Sequence, residues 1–288
     1  MPLYAGRNIQ VSVLRLDKIH GVISGNKYFK LKYHLQYALD NNFEGILTFG
    51  GAWSNHIIAT ACTATLHQLK SIGIIRSEKP PALSATLKKA QEFGMQLRFI
   101  SKDLYKNILT NNYPSQISDQ YPNYYIIPEG GSGLLGIQGA EEILELANKN
   151  DFSHIACAIG TGTMFCGLVN ASAPGQVIIG IPVLKGFTDL NDQLSSFFIN
   201  PERKTNCRFF YDYHFGGYAK HSAVLIDFMN ELYRQTSIPN DFVYTAKLFY
   251  AINDLVEKNL FPPGSHVLMI HSGGLQGNDS LRKGTLNF

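Results

Sequence analysis

Short apolar runs rich in β-branched residues recur along the chain at 45–49, 71–75, 97–100, 124–127, 154–159, 177–181 and 266–271. Each reads as a strand. Between them, apolar residues return at three- and four-residue intervals, which predicts helices over 28–40, 57–69, 81–93, 137–148 and 165–171. Strands that are apolar nearly throughout need cover on both faces, so their alternation with helices predicts an α/β architecture built on parallel sheet. In such sheets ligands bind beyond the carboxyl ends of the strands, and those loops are where chemistry is to be sought. Residues 185–215 follow no period, are rich in aromatic and polar residues, and are expected to be loop with short elements.

Composition narrows the class. The 288 residues are 45% hydrophobic and 16% charged, which describes a globular protein with a sizeable interior, organised as one elaborate domain or two lobes. The formal charge of +3 comes without a block of lysine and arginine, so no nucleic-acid partner is expected. No apolar run reaches the length of a membrane span, and the opening MPLYAGRNIQ lacks the apolar core of a signal peptide; no membrane association and a cytoplasmic location are the expectation. Cys62, Cys157, Cys166 and Cys207 form no CxxC pair and read as buried apolar thiols. His154, His214, His221 and His271 are scattered, and no metal is expected.

Four loops after predicted strands are glycine-rich: TFGGAWSNH, IPEGGSGLLG, AIGTGTMFCGL and IHSGGLQGN. Gly160, Thr161, Gly162 and Thr163 end a strand and open a helix, where backbone N–H groups and the helix dipole converge; they form either a phosphate cradle or a tight turn that needs glycine for its backbone alone. The spacing matches neither a dinucleotide fingerprint nor a P-loop. Ser54, Asn55 and His56 stand in the same topological place and either cap a helix or receive an anion such as a substrate carboxylate. Trp53 either packs in the core or lines a pocket. Lys27, in VISGNKYFKLKYHL, is either a snorkelling surface lysine or, among Tyr28, Phe29 and Leu31, a desolvated amine able to form a Schiff base. A desolvated lysine, a phosphate cradle and an anion-binding turn together match what pyridoxal phosphate requires.

With SGNKYFKLKYHL, FGGAWSNH, IPEGGSGLLGIQG, IGTGTMFCGL, GGYAKHS, DFVYTAK and IHSGGLQGN in that order, the chain resembles the 1-aminocyclopropane-1-carboxylate deaminase and D-cysteine desulfhydrase family of pyridoxal-phosphate enzymes. The resemblance implies a two-lobed, three-layer αβα sandwich of the tryptophan-synthase-β type. It divides the chain into a larger cofactor-binding domain, 1–38 with 139–288, and a smaller α/β domain, 39–138. It makes Lys27 the Schiff-base lysine and Lys30 a contact to the cofactor phosphate, with Gly160, Thr161, Gly162 and Thr163 gripping that phosphate. Asn55 would hold the cofactor's 3′ oxygen, Thr245 would partner the pyridine nitrogen, and Ser272 would lie beside the cofactor. Ser54, Asn55, His56 and Tyr218 would meet the substrate, with Ser54, Tyr218 and Tyr244 joining Lys27 in catalysis.

Within the family, the deaminases look to carry glutamate and leucine where this chain has Thr245 and Ser272, whereas the desulfhydrases carry hydroxyls at both. A carboxylate would keep the ring nitrogen protonated, as opening a substrate without a Cα hydrogen should require; a hydroxyl suffices for β-elimination. The resemblance therefore implies α,β-elimination from a small amino acid, D-cysteine above all, with Lys27 taking the Cα proton, and a homodimer. Its alternatives are 1-aminocyclopropane-1-carboxylate deamination, another amino-acid substrate, or cofactor binding without catalysis. The chain departs from the pattern at Met164, at Lys220, His221 and Ser222, at Glu129 beside the GGS turn, and in beginning later than typical members.

Overall fold

The computed structural model describes residues 4, 6–78, 80, 82–111 and 115–288. Among them, strands form two separate sheets, each parallel throughout. The first runs in the order β1 (Gln10–Arg15), β9 (His266–His271), β6 (His154–Ile159), β7 (Val177–Pro182), β8 (Cys207–Phe209). The second runs β4 (Gln96–Ile100), β3 (Lys70–Arg76), β2 (Gly45–Gly50), β5 (Tyr124–Ile127). The helices are α1 (Asn26–Asp40), α2 (Asn55–Leu66), α3 (Ala85–Glu92), α4 (Lys102–Thr110), α5 (Ser115–Gln120), α6 (Leu134–Glu141), α7 (Thr163–Ala171), α8 (Leu190–Ser195), α9 (Ala223–Thr236) and α10 (Thr245–Glu257).

Strand geometry explains why both faces need cover, since successive side chains point to opposite sides. Along β6, Ile155, Cys157 and Ile159 join a core with Phe165 and Leu168 of α7, while Ala156 and Ala158 face Leu248 and Ile252 of α10. In the smaller sheet Ile46 packs with Leu31 of α1 and Ala59 of α2, whereas Leu47 and Phe49 pack with Tyr105 and Ile108 of α4. Both sheets are thus the middle layer of an αβα sandwich. Each buried Leu, Ile or Phe contributes roughly 1.5–3 kcal/mol of transfer free energy, so the interior strands anchor the fold.

All seven expected strands are present, with ends moved by a residue at most. The missing two, β1 and β8, are edges of the larger sheet, and each has a neighbour on one side only. Edge strands need no continuous apolar run, and QVSVLR alternates polar with apolar instead. The expected 81–93 helix begins at Ala85 behind a Ser84 cap, while Pro81 lies outside the described residues. The 137–148 helix starts earlier, at Leu134, and after Glu141 tightens into a 3₁₀ turn, Glu142–Leu146. Helices α4, α5, α9 and α10 were not anticipated. Residues 185–215 hold α8, β8 and short 3₁₀ turns, as expected.

Strand order locates the site. In the smaller sheet the chain runs from β2 out through β3 to β4, then returns to pair β5 on the other flank of β2. In the larger sheet it runs from β6 out through β7 to β8, and later places β9 on the other flank of β6. Each sheet therefore reverses direction once, beside β2 and beside β6, and a crevice opens at the carboxyl ends of the strands there.

Candidate active site

The loops at those two reversals line one cavity of about 420 Å³. From the smaller sheet come Gly51, Ser54, Asn55 and His56 after β2 and Glu129 and Gly130 after β5; from the larger come Gly160, Thr161 and Gly162 after β6 and Ser272, Gly273 and Gly274 after β9. Lys27 and Lys30 enter from α1.

The Ser-Gly-Asn turn before Lys27 has a steric purpose. Gly25 has φ 67°, and a Cβ there would stand 1.8 Å from the Ser272 carbonyl oxygen. The amide of Asn26 donates to that same oxygen at 3.0 Å. Only glycine allows this approach, which sets the first turn of α1 and Lys27 against the loop after β9. One turn on, α1 is gripped from the far side by α6, where a Cβ on Gly139 would fall 2.0 Å from Phe29 O. Lys30 is consequently 2% exposed, and its Nζ donates to Thr161 Oγ1 at 3.3 Å across 131 residues of sequence. Thr161 Oγ1 in turn lies 3.0 Å from Thr163 Oγ1, and Gly162, at φ 80°, is the N-cap of α7.

Electrostatics follow from burial. Desolvation lowers the Lys27 amine from 10.5 to about 8. Lys30 lies well below the ordinary lysine value, through burial first and the Lys27 charge second. Thr48 Oγ1 donates to Ile127 O at 2.9 Å, so it accepts from His56 Nε2 at 2.8 Å. This fixes the tautomer of a ring that burial, then Lys27 and Lys30, keep neutral, and leaves Nδ1 as a buried acceptor without a partner. Asn55 spends one amide proton on Gly274 O at 3.3 Å, and its Oδ1 is buried and unpaired. Ser54 caps α2, accepting from Ile57 N at 3.3 Å. Burial holds Tyr218 and, far more, Tyr244 above the ordinary phenol value; their rings meet edge to face with centroids 6.2 Å apart.

Of the residues singled out from sequence, Lys27, Lys30, Ser54, Asn55, His56, Gly160, Thr161, Gly162, Tyr218, Tyr244 and Ser272 line the cavity. Thr163 lies just behind, at the start of α7. Thr245 follows the lining residue Tyr244. It is fully buried, is not part of the lining, donates to Asp241 Oδ1 at 2.7 Å and accepts from Asp241 N at 2.7 Å. Its hydroxyl completes the cap that Asp241 forms on α10, so the loop after β9 presents Ser272 as the hydroxyl of that wall. Phe187, from the irregular stretch, also lines the cavity. Arg76 at the end of β3 was missed; its signal was a charged residue closing the otherwise apolar strand IGIIR.

A buried amine with one neutral partner, a hydroxyl pair, a helix N-terminus and the second amide proton of Asn55 beside them form a site with donors in excess. That donor set fits pyridoxal phosphate, whose phosphate brings acceptor oxygens and whose aldehyde requires an unprotonated lysine.

Comparison with known proteins agrees with this fit. The sequence pattern of the pyridoxal-phosphate dependent enzyme family matches residues 6–273. A bifunctional D-cysteine desulfhydrase/1-aminocyclopropane-1-carboxylate deaminase, mitochondrial, of Arabidopsis thaliana is 29% identical over 92% of this chain and 72% of its own. A putative 1-aminocyclopropane-1-carboxylate deaminase of Pyrococcus abyssi is 28% identical over 94% and 87% respectively. The crystal structure of an ACC deaminase homologue superposes with a TM-score of 0.79 at 26% identity, covering 96% of this chain and 88% of that one.

Proposed function

Because the chain belongs to the family of pyridoxal-phosphate dependent enzymes, we propose that it removes a β-substituent and the amino group from a small amino acid, with D-cysteine as substrate and pyruvate, ammonia and hydrogen sulfide as products. The observation that carries this reading is the pair of lysines in the cavity, half-buried Lys27 with its amine lowered to about 8 and buried Lys30 seated at the threonine turn 131 residues away.

Lys27 is the attachment point for the cofactor, since a lysine near 8 supplies free amine at neutral pH, where an ordinary lysine does not. Lys30, Thr161, Thr163 and the amides at the start of α7 hold the phosphate. The second amide proton of Asn55 serves the 3′ oxygen, and Ser272, rather than Thr245, faces the pyridine nitrogen. When bound, pyridoxal phosphate supplies the electron sink that makes the Cα proton removable. Ser54 and the first amides of α2, that of His56 among them, hold the substrate carboxylate, so that the Cα–H bond is presented to Lys27. The Lys27 amine takes that proton. Tyr218 and Tyr244, held as neutral phenols by burial, donate toward the departing sulfur. A hydroxyl at Ser272, in place of a carboxylate facing the ring nitrogen, favours elimination over opening of the cyclopropane ring.

The reading is tested by purifying the protein with cofactor and measuring pyruvate and sulfide from D-cysteine beside 2-oxobutanoate from 1-aminocyclopropane-1-carboxylate. Pyruvate should dominate and should vanish in Lys27→Ala, together with the visible absorbance that borohydride removes. Dominant 2-oxobutanoate would favour the second reading, deamination of the cyclopropane amino acid, which the names of the relatives support.

Further parts of the proposal are structural. The division into 1–38 with 139–288 and 39–138 is supported by each part carrying one of the sheets; in native-state hydrogen exchange the two sheets should open as separate units. A homodimer would cover exposed apolar side chains such as Leu134, 72% exposed, and a monomeric mass by light scattering would refute it. No helix among the described residues is long and apolar enough to cross a membrane. A cytoplasmic location, which fits four unpaired buried cysteines, is checked by fractionation.

A further inference from the structure

The basic side chains lining the cavity are Lys27, Lys30 and Arg76, against a single carboxylate, Glu129, among the described residues. In the reading above, Lys27 is consumed in holding the cofactor and Lys30 answers its phosphate. Arg76 is then the cation left over. It ends β3 at the carboxyl edge of the smaller sheet, and its guanidinium has no carboxylate within ion-pair distance among the described residues. It is nevertheless held in place. Its carbon lies 5.6 Å from the centroid of the Tyr105 ring, whose own hydroxyl donates to Glu129 at 2.8 Å. That contact orients the guanidinium from beneath and leaves its N–H fork available. Gly51, also in the lining, does not crowd the guanidinium, since even an added Cβ would stand 3.8 Å from Arg76 Nη2. Across the cavity Arg76 acts on Tyr218: burial raises that phenol, and the Arg76 charge works against the rise.

We propose that Arg76 is a specificity residue that binds a negative charge on the β-substituent of the substrate, so the enzyme favours β-substituted alanines whose substituent is already anionic at neutral pH while still bonded to Cβ. This rests on the elimination reading above and goes beyond it. The α-carboxylate already has Ser54 and the amides of α2, so the second cation in the same cavity, an exposed arginine, is free to receive a second anion. Cysteine meets the requirement only when its thiol is ionised; a sulfonated or phosphorylated β-substituent meets it always. The step balances without an added oxidant. Lys27 takes the Cα proton, the Cβ–substituent bond breaks with its electron pair going to the leaving anion, and the released 2-aminoacrylate takes up water to give pyruvate and ammonium.

The test compares two substrates on the cofactor-loaded protein, as both enantiomers: S-sulfocysteine, which releases thiosulfate, and β-chloroalanine, whose substituent is neutral. Wild type should favour S-sulfocysteine in kcat/KM. Arg76→Leu should lower the ratio of the two by roughly 10- to 100-fold, the range of one charge-assisted contact, and Arg76→Lys should restore part of it. An equal fall on both substrates would place Arg76 on the α-carboxylate or in the scaffold and overturn the inference, as would no fall or no wild-type preference. Absence of pyruvate from β-chloroalanine with wild type would instead refute the elimination reading. The inference is then judged by binding, with the fluorescence of Trp53, the only tryptophan and the neighbour of Ser54, as the signal. Arg76→Leu should weaken S-sulfocysteine binding by the same factor and β-chloroalanine binding far less, and parallel weakening overturns it.

Discussion

Replacing Lys30 by methionine should move two quantities in opposite directions. The side chain is 2% exposed, and its amine has one neutral partner at 3.3 Å, so protein without cofactor carries a poorly solvated polar group. Methionine fills nearly the same volume without that cost, and the gain in stability should be about 1–3 kcal/mol at neutral pH. The sign of the pH dependence follows from the lowered amine. Between its folded value and the ordinary 10.5 of the unfolded chain, the unfolded state holds a proton that the folded state lacks. Stability therefore rises with pH through that window, by about 1.4 kcal/mol per unit for each such lysine, and the penalty is complete below the folded value. Lys30→Met should remove this slope for one group, while Lys27 retains its own between about 8 and 10.5. Cofactor affinity should fall, because a charge-assisted bond to the phosphate worth about 1.5–3 kcal/mol is lost, roughly 10- to 150-fold in Kd. Thermal unfolding without cofactor across pH, followed by titration with pyridoxal phosphate, reads both. A variant that unfolds more readily than wild type yet binds cofactor equally well would refute the assignment of Lys30 to the phosphate.

Gly25→Ala forces a Cβ to 1.8 Å from the Ser272 carbonyl oxygen at φ 67°, and left-handed strain plus overpacking should cost about 2–5 kcal/mol in chemical denaturation and expel cofactor from the folded fraction. Thr245→Val should cost about 1–3 kcal/mol by stranding Asp241, while leaving the absorbance of bound cofactor in place. Ser272→Ala should do the reverse, shifting that absorbance with little change in unfolding; a spectrum that responds to Thr245 instead would return the pyridine nitrogen to that residue. In protein freed of cofactor, the rate at which an amine-directed reagent modifies Lys27, read by mass spectrometry of its peptide, should have its midpoint near pH 8, and a midpoint near 10.5 would mean that the amine is solvated.

What could be seen in the sequence was what is local in it. The interior strands declare themselves because both their faces are apolar, and Lys27, Ser54 to His56 and Gly160 to Thr163 sit in short motifs whose backbone demands are visible from neighbouring residues. Edge strands β1 and β8 carry no such run, because solvent or loop takes the place of a second neighbour. Thr245 shows a different limit. A motif tells which residue occupies a position, but not which way a hydroxyl turns, and Asp241 four residues earlier claims it. Arg76 belongs to no motif at all, and its placement beside the cavity rests on a ring from α4 that its own strand does not reveal. Lys30 and Thr161 meet only because α1 packs flush on α6, a contact made by Phe29 and Gly139.

The pairing of β1 with β9 places residues 10–15 beside residues 266–271, nearly the full length of the chain apart. As a polypeptide emerges from the ribosome, β2 to β5 and their helices are complete once residue 127 is out, so the smaller sandwich can fold early and on its own schedule. The first strand must wait, unpartnered, until residues 266–271 are made, and closing so long a loop is slow. Gly25 meets Ser272 only at that moment, so competence to take up vitamin B6 comes after every other strand has been made rather than gradually.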